Sequence, residues 1–209
     1  MIPFEVLAVF FLASVVLALT PGPDNIFVLT QSALSGPRAG LIVTLGLCTG
    51  LIVHTTAVAL GVAVIFQTSV VAFTALKIAG AVYLLYLAWQ AFRAGASTLP
   101  GADAPAIPLR RLYLRGIIMN VTNPKVSIFF LAFLPQFADP QRGSLVVQII
   151  LLGAAFALAT ILVFGTVALF AGKVGQWLTG SNRAERVLNR VAGSVFVLLA
   201  ANLLIAERQ

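Results

Sequence analysis

Asp24 stands in the stretch LTPGPDNIF, residues 19–27, directly after an almost wholly apolar run that begins near the start of the chain. Pro21 and Pro23 cannot donate backbone hydrogen bonds, and each clashes with the turn before it. A helix entering this stretch therefore stops near Thr20. It can restart with Pro23, Asp24 and Asn25 in its first turn, where proline is tolerated. A restart leaves N–H groups unpaired and turns the positive end of the helix dipole toward the break. That spot suits an anion such as a carboxylate. Asp24 fits equally well as a plain cap that satisfies those donors itself.

The same device recurs in GIIMNVTNPKVSIFFLAFLPQF, residues 116–137. Asn120, Thr122 and Asn123 are polar, Pro124 opens a new helix, and Lys125 lies ten positions beyond Arg115. An ionised lysine deep in a bilayer costs roughly 2.5–3.5 kcal/mol on insertion scales. Asp24, at the matching break, is the obvious partner. Snorkelling of Lys125 to a headgroup layer is the alternative.

Two further residues carry titratable groups in apolar surroundings. His54 lies in GLCTGLIVHTTAVALG, where Gly46, Gly50, His54, Ala57 and Gly61 share one helix face. Gly46 and Gly50 form a GxxxG, the spacing for close helix packing. His54 thus points into a bundle, as a hydrogen-bonded packing residue or as a proton carrier. Lys77, in TALKIAGAVYLLYLAW, either snorkels outward or joins His54 and Asp24 as a proton-coupling candidate. Cys48, the only cysteine, reads as a small packing residue and rules out an intrachain disulfide.

Several chemistries are missing. No GxxxxGK[ST] stretch is present for ATP. A single histidine and no HExxH leave no two-histidine metal site. The six carboxylates form no paired acid/base motif. The sequence therefore points away from an enzyme, and neither a cofactor nor a metal is expected.

The elements that must position these residues follow from composition. The chain has 209 residues, 60% of them hydrophobic and 9% charged, with a mean hydropathy of +1.05. Soluble domains carry roughly 25% charged residues, so this is a polytopic all-α membrane protein. The early run lacks a positively charged n-region and is read as a retained span. Windows of about 20 apolar residues predict six transmembrane helices, near 4–21, 40–62, 69–92, 114–136, 145–170 and 188–206. Residues 22–36 are too apolar for a free loop and too short for a span.

The net charge of +7 reflects topology rather than nucleic-acid binding, because the basic residues flank the spans. Arg38 lies after the first span. Arg93, Arg110, Arg111 and Arg115 lie between the third and fourth, and Lys173, Arg183, Arg186 and Arg190 between the fifth and sixth. With six spans these clusters share one face. The positive-inside rule makes that face cytoplasmic and both termini periplasmic.

The Ala/Pro/Gly-rich stretch 94–109 reads as a cytoplasmic linker between a first three-helix repeat, 1–93, and a second, 110–209. An odd number of spans in each half makes the repeats inverted. PDNIFVL at 23–29 matches PKVSIFF at 124–130, each a proline, a charge and an apolar run. Secondary transporters are commonly built so, with broken helices at corresponding positions marking the binding site.

TPGPDNIFVLTQSALSGPRAGLIVTLGLCTGLIVH, LKIAGAVYLLYLAW and NPKVSIFFLAFLPQF resemble the signature stretches of the lysine exporter (LysE) superfamily. The likeness is greatest to its homoserine/threonine resistance (RhtB) branch of bacterial amino-acid exporters and runs from about 15 to 137. The family's motif residues fall on Pro21, Gly22, Pro23 and Asp24, on Gly50, His54, Lys77 and Gly80, and on Asn123, Pro124 and Lys125. The resemblance implies export of homoserine-, threonine- or lysine-type amino acids or derivatives across the bacterial inner membrane, coupled to protons. Combined with the helix breaks, it implies a zwitterion site. Asp24 would hold an α-ammonium, and Lys125 with the helix-start N–H groups an α-carboxylate; Asn25 and Asn123 join them as substrate-binding candidates. Two alternatives stay open: export of another small metabolite or cation, and a scaffold subunit in which Asp24 and Lys125 merely lock two helices. A homo-oligomer is compatible with either.

Overall fold

The structure is a computed structural model that describes residues 2–20, 22–68, 70–93, 107–171 and 182–205. Every regular element among the described residues is helical. The first helices are α1 (Phe4–Leu19), α2 (Pro23–Ser35), α3 (Pro37–Thr68) and α4 (Val70–Arg93). After the linker come α5 (Leu109–Val121) and α6 (Pro124–Ile128). α6 winds on through a π turn at Phe129–Phe133 and a 3₁₀ turn at Leu134–Phe137. A short 3₁₀ turn, Pro140–Arg142, leads to α7 (Leu145–Leu169), and α8 spans Asn182–Ile205.

Both expected breaks are present. α1 and α2 meet at a bend of 63°, and α5 and the helix from Pro124 to Phe137 meet at 48°. In each case proline occupies the first turn of the second piece, where its missing N–H costs nothing. Residues 22–36, ambiguous in the sequence, are mostly the helix α2. Only Gly36 separates α2 from α3, at φ 83°, a left-handed conformation that suits glycine. Pro37 then starts α3 at once, earlier than the expected position 40.

Among the described residues, two helices are long and apolar enough to cross a membrane unaided: the Pro37–Gly61 part of α3, and α7. Counting each bent pair as one span gives four. α8 adds a shorter apolar stretch, Asn189–Ala201. The six-span expectation is thus met to a count of four by length and composition.

Helix packing exchanges between the halves. α1 packs on α7 and α5 on α3; α3 also packs on α7, α4 on α8, α1 on α8, and α4 on the π turn. One apolar cluster gathers Phe10, Phe129, Phe130, Phe133, Phe156 and Phe196. A second gathers Val28, Val43, Leu47, Leu112, Val163 and Phe164. Phe130 meets Phe156 edge-on at 5.1 Å between centroids, an arrangement their quadrupoles favour, while Phe129 packs at a tilt on Phe10, Phe133 and Phe156. The two helix breaks fall between the clusters, where Leu17, Val126 and Phe156 of the first approach Ala18 and Phe164 of the second.

The glycine face of α3 works over half its expected length. Gly46 sits on Gly116 of α5, and a Cβ built on Gly116 would lie 2.5 Å from the Val43 carbonyl oxygen. A Cβ on Gly50 would lie 2.7 Å from the Asn120 side chain. Beyond His54 the face lets go: Ala57 is exposed, and nothing lies within 4 Å of a Cβ on Gly61. Cys48 packs as expected, its thiol 4.0 Å from the Ala157 carbonyl oxygen of α7.

Gly116→Val should therefore push α3 and α5 apart and cost about 1–3 kcal/mol, the usual penalty of overpacking. Gly61→Ala should cost nothing measurable. The midpoint of thermal unfolding, read on detergent-purified protein, checks both, and equal midpoints for the two variants would refute the backbone-to-backbone crossing.

Candidate functional site

The break in α1–α2 exposes the last carbonyls of α1, and the chain supplies a donor for each of four of them. Thr20 returns its N–H and hydroxyl to Val16 O at 2.9 and 2.7 Å. Asn25 donates its side-chain amide to Ala18 O at 2.7 Å. The Lys125 ammonium reaches across from α6 and donates to Leu17 O at 3.2 Å and Thr20 O at 3.0 Å. A cation at a helix C-terminus also answers the negative end of the macrodipole. Lys125 is only 8% exposed, so it does not snorkel away.

The start of α2 has the opposite polarity. Gly22, its N-cap, offers no side chain, and Asp24 places its carboxylate in the first turn, where the dipole favours it. Asp24 is 3% exposed. Its Oδ2 accepts from Asn123 Nδ2 at 2.8 Å, and its Oδ1 has no hydrogen-bond partner. Asn123 is at the same time the N-cap of α6, its Oδ1 accepting from Lys125 N at 3.0 Å. One amide thus joins the two helix starts.

The expected direct pair of Asp24 with Lys125 is replaced by this relay. Among the described residues no ion pair joins the two. The ammonium is drawn to a pair of uncapped carbonyls, while the carboxylate takes an amide. Both residues, with Asn120, line a void of about 10 Å³, no more than a single water needs.

His54 holds the other broken helix. Its Nε2 lies 3.1 Å from Asn120 O, a carbonyl at the end of α5, and its ring is 5.6 Å from that of Phe130. A carbonyl only accepts, so Nε2 carries the proton and donates. That N–H is thereby committed to the end of α5. Pro21 lies outside the described residues, as does the side chain of Lys77. Pro23 and Pro124 open α2 and α6 as expected.

A cleft of about 690 Å³ reaches the junction from one side. Thr20, Gly22, Asn123 and Lys125 line it at the breaks, and Tyr83, Tyr86, Trp89 and Arg93 line it along α4. Asp24 does not line it. The aromatic residues recur every third position, and in the sequence they read as ordinary filling of an apolar span. Their contact with the junction depends on how α4 packs, which no local pattern records. Asn189 of α8, given no role from the sequence, also lines the cleft. Gly22 matters to access, since a Cβ there would come within 3.2 Å of Lys125 Nζ.

The chain matches the family described as LysE type translocator over residues 15–207. This protein belongs to the LysE-type translocator family. It is 35% identical over 198 residues to proteins named homoserine/homoserine lactone efflux protein in Salmonella typhi and Salmonella typhimurium, covering 95% of each chain. A protein of Vibrio cholerae named only as an uncharacterized membrane protein is 30% identical over 188 residues, 90% of this chain and 91% of the other. No solved structure matches the chain. The translocator is accordingly a membrane protein, and both helix breaks fall inside the matched region.

Because one amide serves both helix starts, Asn123→Asp should set two carboxylates against each other. The variant should lose more stability than Asn123→Ala, whose lost charged hydrogen bond is worth about 1.5–3 kcal/mol. Asp24→Asn combined with Asn123→Asp restores a carboxylate–amide pair and should recover most of the loss. Unfolding midpoints of the three variants measure this, and a double variant as unstable as Asn123→Asp would refute the contact.

Proposed function

We propose that this translocator exports amino acids or close derivatives from the cytoplasm across the bacterial inner membrane, as a proton-coupled secondary transporter. The observation that carries the reading is the cleft that ends on a buried ammonium at two paired helix breaks. Its volume falls within the roughly 300–1,000 Å³ typical of small-molecule sites. The efflux function named for the Salmonella relatives supports the direction and the substrate class.

In this reading the chain crosses the membrane six times, as two inverted three-helix repeats with periplasmic termini. The reciprocal packing supports it: each broken span leans on the long helix of the other half, while α3 meets α7 and α4 meets α8. The basic residues near Arg93 make the end of α4 cytoplasmic, so the cleft opens inward.

Lys125 is the anion pole. A substrate carboxylate approaching past Gly22 replaces the carbonyls of Leu17 and Thr20 as the partner of the ammonium, gaining a charge-assisted bond. Asp24 is the cation pole. Its carboxylate exchanges the Asn123 amide for the α-ammonium, and Asn25 and Asn123 adjust to the released groups. Both exchanges loosen contacts that tie α1–α2 to α6, so binding and the change of access are one event. With the substrate gone, Asp24 is the carboxylate free to take the coupling proton. His54 is less suited to that task, because its N–H is committed to Asn120 O.

Asp24→Asn and Lys125→Met should each abolish efflux of homoserine from loaded cells, while the protein remains in the membrane at a measurable level. The double variant should regain abundance without efflux, because both poles are gone. A scaffold lock would instead restore everything in the double variant, and normal efflux by folded Asp24→Asn would overturn the proposed site.

A further inference from the structure

The cleft and the carboxylate stand on different sides of Asn123. Among the described residues, two charged ones line the cleft, Lys125 at its end and Arg93 on α4, and both are cations; no described aspartate or glutamate lines it. Along α4 the wall carries three aromatic rings, Tyr83, Tyr86 and Trp89, with Leu87, Gln90 and Ala91 beside them. Tyr83 and Tyr86 lie 5.9 Å apart between ring centroids, and Tyr86 and Trp89 6.0 Å. Aromatic faces can hold an ammonium, but the Arg93 guanidinium already covers Trp89, at 4.7 Å from its centroid. An incoming amine therefore finds no anion and meets like charge. A carboxylate finds Lys125, which is nine-tenths buried and already holds two oxygens at hydrogen-bond distance.

We infer that the cleft is by itself a binding site for monocarboxylates that carry an aromatic or apolar body and no amine, and that such ligands occupy the translocator without being carried. The inference rests on the export reading above and divides its recognition into two stages. The carboxylate and the side chain are read first, against Lys125 and the α4 rings. The ammonium is read second, when Asp24 gives up Asn123. A ligand lacking the amine completes the first stage only. It leaves the Asp24–Asn123 hydrogen bond in place, and with it the tie between the two broken spans. Cationic side chains are disfavoured at the first stage by Arg93 and Lys125.

The test uses the full chain in detergent with Trp177→Phe, which leaves Trp89 as the one tryptophan. Titration with 3-phenylpropanoate should quench Trp89 fluorescence saturably, and 2-phenylethylammonium, the same ring with the opposite charge, should bind at least about tenfold more weakly. Lys125→Met should erase the preference. Gly22→Ala, which crowds the ammonium without removing it, should weaken 3-phenylpropanoate several-fold and serves if Lys125→Met does not fold. In proteoliposomes, 3-phenylpropanoate should inhibit homoserine efflux without leaving the vesicles itself. Equal or tighter binding of the amine would overturn the inference, as would transport of 3-phenylpropanoate at the rate of homoserine. Selective binding of 3-phenylpropanoate with no amino-acid efflux would support the site and overturn the export reading alone.

Discussion

The structure turns on the hydrogen bond between Asn123 and Asp24. Each broken span leaves backbone groups without helical partners, and such groups are costly to bury unpaired. Each break satisfies itself only in part. α1 takes the ammonium of Lys125 from the other half, and Asp24 at the start of α2 takes the amide of Asn123. The amide in turn caps the N–H of Lys125 and so holds that ammonium in register with α1. Each half therefore completes the other.

Packing serves this junction. The glycine contact of Gly46 with Gly116 brings α5 close enough to α3 for His54 to reach Asn120 O. The phenylalanine cluster and the second apolar cluster shut the junction between them, leaving a void for one water at most. A cleft along α4 meets the junction at Gly22 and Lys125. A polar network enclosed in this way is strong when complete and costly when broken. In the export mechanism proposed above, those are the properties a gate needs: a ligand that supplies both replacement partners releases it, and a ligand that supplies one does not.

Much of this was legible in the sequence for physical reasons. Proline spacing marks a helix break wherever it occurs, so Pro23 and Pro124 located both breaks. A carboxylate and an ammonium in apolar runs demand partners, so Asp24 and Lys125 stood out. What the sequence could not supply was the choice among partners. Lys125 prefers uncapped carbonyls of α1, and those carbonyls carry no side-chain signature. Asn123 was visible as polar, but its double role needs both helix starts within reach of one amide. The aromatic wall of α4 was hidden because Tyr83, Tyr86 and Trp89 satisfy the rules for a span whether or not they face a cleft. The glycine stripe failed beyond His54 for a similar reason: periodicity places Ala57 and Gly61 on a face but does not say how far a neighbouring helix follows it.

In the proposed transport cycle the ammonium of Lys125 rests on the end of α1 and leaves it for a ligand. Magic-angle spinning NMR on protein in lipid, with ¹⁵N at lysine Nζ and ¹³C at the leucine and threonine carbonyls, measures that contact directly. The unliganded translocator should show dipolar coupling from Lys125 to the carbonyls of Leu17 and Thr20, and the coupling should vanish when an exported amino acid saturates the site. Coupling of Lys125 to the Asp24 carboxyl carbon in the unliganded protein, or carbonyl coupling unchanged at saturation, would contradict it.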